Sequence, residues 1–402
     1  MTSPYRIACL VSHPIQYQAP MFRYLAASPE IDLTVLFLSD LSVREYHDPG
    51  FGVAFKWDVP LLEGYRSEFL PAFGAIDEIS FWRPFTRRIR RRLREGRFDA
   101  LWVHGYAHQA MLRAIAAARS LGIKVLMRGD SNIANGAGSP ARRALKARIL
   151  PRLFSAIDGF LSVGARNREY YLAYGVPEAK MFSMPYAVDN DFFRARAEAA
   201  RPAREQFRCK LGLAPGRPII LYVGKIYPGK RAGDLVQAWL RLPRELEPHP
   251  YLLLVGDGNE RAHLQTLARE SGLEHSILFP GFRNQSDLPQ FYDLCDVLVL
   301  PSASEAWGLV LNEVMNAAKP VIASDAVGAA PDLVIDGANG FIYPVGDIGA
   351  LARALERITR SPEHAAAMGA KSLEIVSRYS FAAGRAGLLA ALAAVTARAA
   401  EN

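Results

Sequence analysis

Along the whole chain, runs of three to six apolar residues alternate with longer stretches whose apolar positions recur at helical spacing. A strand that is apolar at every position is buried on both faces, and a parallel sheet covered by helices on both sides buries its strands in that way. The predicted strands of the first half are Arg6–Val11, Leu33–Leu38, Ala100–Val103, Lys124–Met127, Gly159–Ser162 and Met181–Met184. Those of the second half are Pro218–Val223, Tyr251–Val255, Ile277–Phe279, Val297–Leu300, Pro320–Ala323 and Gly340–Ile342. The rhythm therefore predicts an α/β protein of two doubly wound, Rossmann-like domains, which suits a length of 402 residues. Between them, Asp189–Pro218 carries charge, Ala and Pro without a strand pattern, so the boundary is placed near 190–215. The expected division is 1–190, 191–378 and a tail, 379–402, in which Phe381–Ala400 reads as one amphipathic helix.

Charge separates the halves. Residues 1–190 hold 25 Lys and Arg against 17 Asp and Glu, whereas 191–402 hold 23 of each, so all of the +8 excess lies in the first half. A basic half beside a neutral one points to an anionic partner for the first, such as a phosphorylated substrate, a phospholipid surface or nucleic acid. Cys9, Cys209 and Cys295 are odd in number, far apart and without metal-ligand spacing, which argues against a disulfide framework or a zinc site and for a reducing compartment. The first residues show no secretion signal, and the most apolar late stretch, Ala386–Ala397, is short of the roughly 20 residues a membrane span needs.

The strongest chemical signal is DVLVLPSASEAWGLVLNEVMNAAKPVIAS, Asp296–Ser324. A strand ends at Pro301, a small-residue loop follows, a helix begins near Gly308 and stops before Pro320. Backbone N–H groups at that helix start, around Trp307, Gly308, Leu309 and Val310, lack intrahelical partners and suit a diphosphate. Glu305 in the loop can accept from hydroxyls of a group attached to the diphosphate, and Glu313 from a ribose on its other side. A second loop, after Val223, carries Gly224, Lys225 and Lys230, whose ammonium groups can neutralise a leaving diphosphate without a metal. Gly256-Asp257-Gly258 and Gly281-Phe282-Arg283 follow further buried strands.

In this order of motifs the sequence resembles the family-4 retaining glycosyltransferases of the GT-B fold. Glu305 to Glu313, EAWGLVLNE, is similar to their E-x7-E motif; Val223–Lys230, the VGDG at 255–258, FPGF at 279–282, DGANGF at 336–341 and MPYAVD at 184–189 follow the family's pattern. The resemblance is dense over about 165–350. It implies Glu305 at the transferred sugar, Glu313 at the ribose, and Lys225 and Lys230 at the diphosphate, with Gly224, Gly258, Phe282, Arg283 and the Trp307–Val310 turn lining the donor. It implies front-face departure with retention, a C-terminal helix crossing back to the first domain, and no cofactor beyond the UDP- or GDP-sugar that serves as substrate. Departures are Lys225 where Arg is common, Gly328-Ala329-Ala330-Pro331-Asp332 in place of Gly-Gly-x-x-Glu, and Met127-Arg128-Gly129-Asp130-Ser131 where a His is usual. Asp130, His13 and His104 fall at predicted strand ends and are candidates for acceptor binding or proton handling, with Gln16 and Arg128 beside them.

The run RRIRRRLREGR, Arg87–Arg97, follows Phe81, Trp82 and Phe85 and predicts a helix with an apolar stripe and a basic face. It is read either as a helix packed on its own domain or as a contact with an anionic membrane, supported by the basic stretch 141–153; nucleic acid is not expected. Asp189-Asn190-Asp191 matches a metal-binding DxD pattern but is read as the start of the linker, with Asp191 capping the next helical turn, so no metal is expected. The resulting expectation is a cytoplasmic glycosyltransferase, at the inner face of the membrane, acting on a lipid-linked or cell-surface glycan acceptor such as lipopolysaccharide. A catalytically silent sugar-nucleotide-binding subunit is the alternative. A nicotinamide enzyme is disfavoured, since VSHPIQYQ stands where G-x-G-x-x-G would follow the first strand.

Overall fold

The computed structural model describes residues 3–48, 50–73, 79–133, 139–243 and 245–396. The chain divides into one unit of Met1–Tyr46, Val59–Val188 and Ser380–Asn402, and a second of His47–Asp58 and Asp189–Tyr379.

In the first unit the strands β1 (Tyr5–Val11), β2 (Ile31–Phe37), β3 (Arg66–Phe69), β4 (Ala100–His104), β5 (Lys124–Gly129), β6 (Gly159–Ser162) and β7 (Met181–Ser183) form one sheet. Its order is β7-β6-β5-β4-β1-β2-β3, and every pairing is parallel. The pleat sends alternate residues to opposite faces, and both faces are covered. Ala8 and Leu10 of β1 join the core with Leu101, Val103 and Ile115, while Ile7, Cys9 and Val11 join the one containing Phe22, Trp102 and Leu388. The strand β3 was not expected. Its sequence, Arg-Ser-Glu-Phe, has no apolar run because it is an edge strand, and Arg66 bonds Asp32 of its neighbour at 3.0 Å.

The tail helix is Phe381–Thr396; residues 397–400 of the expected helix lie outside the described residues. It packs on β6 and β7, so closely that a Cβ at Gly387 would lie 1.7 Å from the Ser183 carbonyl oxygen. Leu388, Ala391 and Leu392 are fully buried there. By length and composition Pro362–Thr396 is apolar enough to cross a membrane. It is built as two helices, Pro362–Val376 in the second unit and Phe381–Thr396 in the first, interrupted by a turn.

The second unit repeats the design with β8 (Ile219–Val223), β9 (Tyr251–Val255), β10 (Ile277–Gly281), β11 (Val297–Leu300), β12 (Val321–Ser324) and β13 (Gly340–Tyr343). They are parallel, in the order β10-β9-β8-β11-β12-β13. Two expectations are corrected. Residues 47–58 group with this unit and not with the rest of 1–190, because Phe51, edge-on, and Phe55, tilted, pack against Phe282, with ring centroids 5.0 and 4.5 Å apart. The stretch read as a linker forms the helices Asn190–Ala200 and Arg204–Lys210.

The cap of the first of these helices is Asp189, not Asp191: its carboxylate accepts the Phe192 N–H at 3.0 Å. The helix starts there because the Asn190 amide is pinned, donating to the Tyr379 carbonyl at 3.1 Å and accepting from Asn316 at 2.8 Å. Losing such a cap costs about 1 kcal/mol. Asp189→Ala is therefore expected to lower the unfolding free energy by about 1 kcal/mol, read as a lower urea midpoint at unchanged slope, and an unchanged midpoint would contradict the capping role.

Candidate active site

In both sheets the strand order reverses beside the first strand, between β1 and β4 and between β8 and β11. Loops leaving the carboxyl ends of strands at such a reversal turn to opposite faces and leave a crevice.

In the second unit the crevice is bounded by Gly224–Lys230, after β8, and Pro301–Gly308, after β11. The Ala303 N–H donates to the Gly229 carbonyl at 2.9 Å, tying the loops together. The Lys230 ammonium donates to the Glu305 carboxylate, with both side chains mostly buried, and the Ser302 hydroxyl donates to the same carboxylate at 3.3 Å. Two residues predicted from separate motifs thus form one ion pair. Lys225 lies elsewhere: its ammonium donates to both Asp48 oxygens, at 2.8 and 3.0 Å. Burial pulls the Asp48 pKa upward, yet Lys225 and the Phe51 and Gly50 N–H groups outweigh it and hold the carboxyl below its ordinary value. Asp48, Phe51 and Phe55 were missed in the sequence. The Asp-Pro-Gly run there is a turn signal, but nothing local indicates where the turn docks.

The helix after the loop is Leu309–Met315, preceded by Gly308 at φ 102°. Trp307 is buried, and its indole N–H donates to Asn312 at 2.9 Å, so its side chain braces the turn from within. Glu313 accepts from the Tyr292 hydroxyl at 2.5 Å. Burial pushes the Glu313 pKa from the ordinary 4.5 up to about 7, against the opposing effect of that hydrogen bond. Gly258 serves packing: a Cβ on it would lie 2.3 Å from the Ile226 carbonyl oxygen, and one on Gly256 would lie 1.8 Å from that of Gly224. The two loops meet backbone to backbone, and only glycine allows it. Phe282 is covered by Phe51 and Phe55, while Arg283 is exposed and donates to the Pro280 carbonyl at 3.0 Å.

In the first unit the reversal opens a cavity of about 650 Å³, walled by the ends of β1, β4 and β5. Arg128, Asp130 and His104 line it, as does Gln18. Of the predicted acceptor residues, His13 and Gln16 are not in that wall. The chain turns after β1, and that turn delivers Ser12, Ile15, Tyr17 and Gln18, the last just before the helix Ala19–Ala26, to the cavity. His13 bonds Ser12 at 2.9 Å, and burial lowers its pKa to about 4, leaving it neutral at physiological pH.

The Gln18 amide nitrogen donates to His104 Nδ1 at 3.3 Å, which puts the imidazole proton on Nε2. Burial, helped by Arg128, holds the His104 pKa well below 6.5, so the ring is neutral and stacks on Trp102 at 5.1 Å. Arg128 is 1% exposed, donates to the Met184 and Pro185 carbonyls at 3.3 Å each, and lies 4.5 Å over the Tyr186 ring. The Tyr186 hydroxyl donates to Asp130 at 3.5 Å. Tyr186 lies in the MPYAVD motif, a signal in the sequence that could have found it.

Comparison with known proteins agrees with this architecture. Residues 203–374 match the model of glycosyl transferases group 1, and residues 17–187 that of the glycosyl transferase 4-like domain. The chain belongs to the group 1 glycosyltransferases, with the GT-B fold of two Rossmann-like domains. Among its relatives, the alpha-D-kanosaminyltransferase of Streptomyces kanamyceticus is 31% identical over 188 residues, 47% of either chain. The GDP-mannose-dependent alpha-(1-6)-phosphatidylinositol monomannoside mannosyltransferase of Mycolicibacterium smegmatis is 26% identical over 70% of this chain and 72% of its own. Against several such relatives the chain spans about half their length, 47–49%. An Anabaena protein solved in complex with UDP and glucose superposes with a TM-score of 0.70 at 18% identity, over 97% of this chain and 99% of the other.

The raised Glu313 pKa carries a signed prediction. The folded chain holds this proton more tightly than the unfolded one, so stability falls as pH rises from 4.5 towards 7 and stays at its lower value above. Glu313→Gln removes the effect. The melting temperature of the variant minus that of the parent should therefore grow between pH 4.5 and 7 and be level above; a difference independent of pH would contradict the assignment.

Proposed function

We propose that this chain transfers a sugar, with retention, from a nucleotide-diphosphate sugar carried at the β8/β11 reversal to a hydroxyl of an acceptor carried in the first unit's cavity. The observation that supports the reading best is the Lys230–Glu305 pair at the carboxyl ends of two parallel strands. An ammonium there offsets charge developing on a departing diphosphate, and a carboxylate beside it accepts from hydroxyls of the transferred sugar. Glu313, fixed by Tyr292, is suited to a ribose. In the first unit, His104 presents an Nε2 proton to the acceptor and Asp130 an oxygen that orients its hydroxyl; the hydroxyl proton passes to the departing phosphate. The GDP-mannose-dependent relative and the Anabaena protein bound to UDP and glucose favour a nucleotide sugar.

Differential scanning of the full chain with UDP- and GDP-sugars tests the donor. A donor at 100 times its Kd raises stability by about 2.7 kcal/mol, and Lys230→Ala should weaken binding at least tenfold. If no nucleotide sugar shifts melting, the donor assignment fails. Because Lys230 supplies the neutralising charge and Asp189 is engaged as a helix cap, transfer is expected to persist in EDTA; collapse with rescue by manganese would refute metal independence.

A lipid-linked or cell-surface glycan acceptor, met at the cytoplasmic face of a membrane, is favoured by one surface of the first unit. The basic helix Ile89–Gly96 packs its apolar stripe inward, with Ile89 and Leu93 buried. The residues ahead of it are the exposed ones: Trp82 is 69% exposed, with Phe73, Phe81 and Phe85 also outward. Arg87 lies 3.6 Å over Phe73 and Arg113 4.5 Å over Phe85. Aromatic side chains framed by guanidinium groups suit an anionic bilayer surface. The chain should float with anionic liposomes and not with neutral ones, and Trp82→Ser with Phe81→Ser should reduce flotation severalfold; flotation with neither liposome would remove this reading.

A further inference from the structure

The cavity of the first unit has an unbalanced charge. Its wall holds three cationic side chains, Arg128, Arg142 and Lys146, and one carboxylate, Asp130. Arg142 and Lys146 stand one turn apart on the helix Pro140–Ser155, and neither forms an ion pair among the described residues. Like charges four residues apart on a helix destabilise it slightly, and the buried Arg128 guanidinium, on which Asp130 acts through space, has no direct ion pair among the described residues. Arg128 Nε is buried and has no hydrogen-bond partner among the described residues, in company with His104 Nε2 and Gln18 Oε1. Three polar atoms in one wall therefore await partners: one charged donor, one neutral donor and one acceptor. The neutral pair matches a hydroxyl, which donates to Gln18 Oε1 and accepts from His104 Nε2–H. The charged donor, with the two cations of the helix, matches an anion.

We infer that the acceptor is a sugar or polyol bearing an anionic group, a phosphate or a carboxylate, held by Arg128, Arg142 and Lys146 while His104 and Gln18 hold a neighbouring hydroxyl. The inference rests on the proposed acceptor role of this cavity. Its volume, about 650 Å³, is that of an ordinary small-molecule site, and Tyr106 and Tyr186 in the wall offer aromatic faces to a sugar ring.

Calorimetric titration of the full chain with glucose 6-phosphate, glucuronate and glucose tests it. At least one anion should bind ten times more tightly than glucose, with the advantage shrinking as salt rises; which of the two binds better distinguishes phosphate from carboxylate. Arg142→Ser with Lys146→Ser, both substitutions on a solvent-facing helix, should cut that preference at least tenfold and leave UDP and GDP affinity unchanged. Lys230→Ala should do the reverse, so that failure of the donor reading and failure of this inference are separable. Equal binding of all three probes, binding of none, or a preference that survives the double substitution would overturn it.

Discussion

Right-handed crossovers made in one direction put every helix on the same face of a parallel sheet, so covering both faces requires the chain to reverse its direction of travel; this protein makes that reversal once in each unit. At the reversal, neighbouring strands send their loops to opposite faces, and the gap between them is one the backbone does not fill. Glu305 and Lys230 reach one such gap from β11 and β8. Gln18, His104, Arg128 and Asp130 reach the other from the ends of β1, β4 and β5. In the second unit the Ala303 to Gly229 hydrogen bond and the backbone contact at Gly256 tie together the loops that bound the gap.

The two gaps are electrostatically unlike. In the second unit three cations of the loops already have carboxylate partners: Lys230 has Glu305, Lys225 has Asp48 and Arg261 has Asp257. A phosphate entering there exchanges one anion for another around an ammonium, so net affinity is the difference of two similar terms and depends on geometry more than on charge. In the first unit the cations exceed the carboxylates, and an anion entering there gains attraction without displacing a partner. The uneven distribution of charge between the halves of the sequence is thus concentrated, in part, on a cavity wall.

Twelve strands were legible because each carries a short apolar run, most of them buried on both faces; the structure places all of them to within two residues at either end. What escaped was polar or short. The strand β3 shows no apolar run because it lies at an edge, and the segment 47–58 is held by Phe282, more than two hundred residues along the chain, which no local pattern reveals. The same limit applies to the sites. Glu305 and Lys230 were found by motif, yet that they bond to each other, or that Tyr292 bonds Glu313, depends on tertiary packing. The sequence points to His13 and Gln16 and not to Gln18, because position along a chain does not disclose which residues a turn aims inward.

The histidines sharpen the chemistry of the proposed transfer. A general base needs an accessible lone pair and a pKa near the working pH. His13 is held far below that by burial, and its Nδ1 is bonded to Ser12. His104 is also held neutral, and its lone pair is spent on the Gln18 amide, so that only a proton is left on the other ring nitrogen. A buried imidazole in this state donates and orients but does not take up a proton. Among the predicted acceptor residues in the cavity wall that leaves Asp130, whose carboxylate is hydrogen-bonded to Tyr186. Under the proposed function the hydroxyl proton has another destination, the oxygen of the phosphate that is leaving as the new bond forms. A cavity whose histidine donates and whose arginine is buried fits such a reaction, in which the protein holds and polarises the acceptor while the donor itself supplies the base.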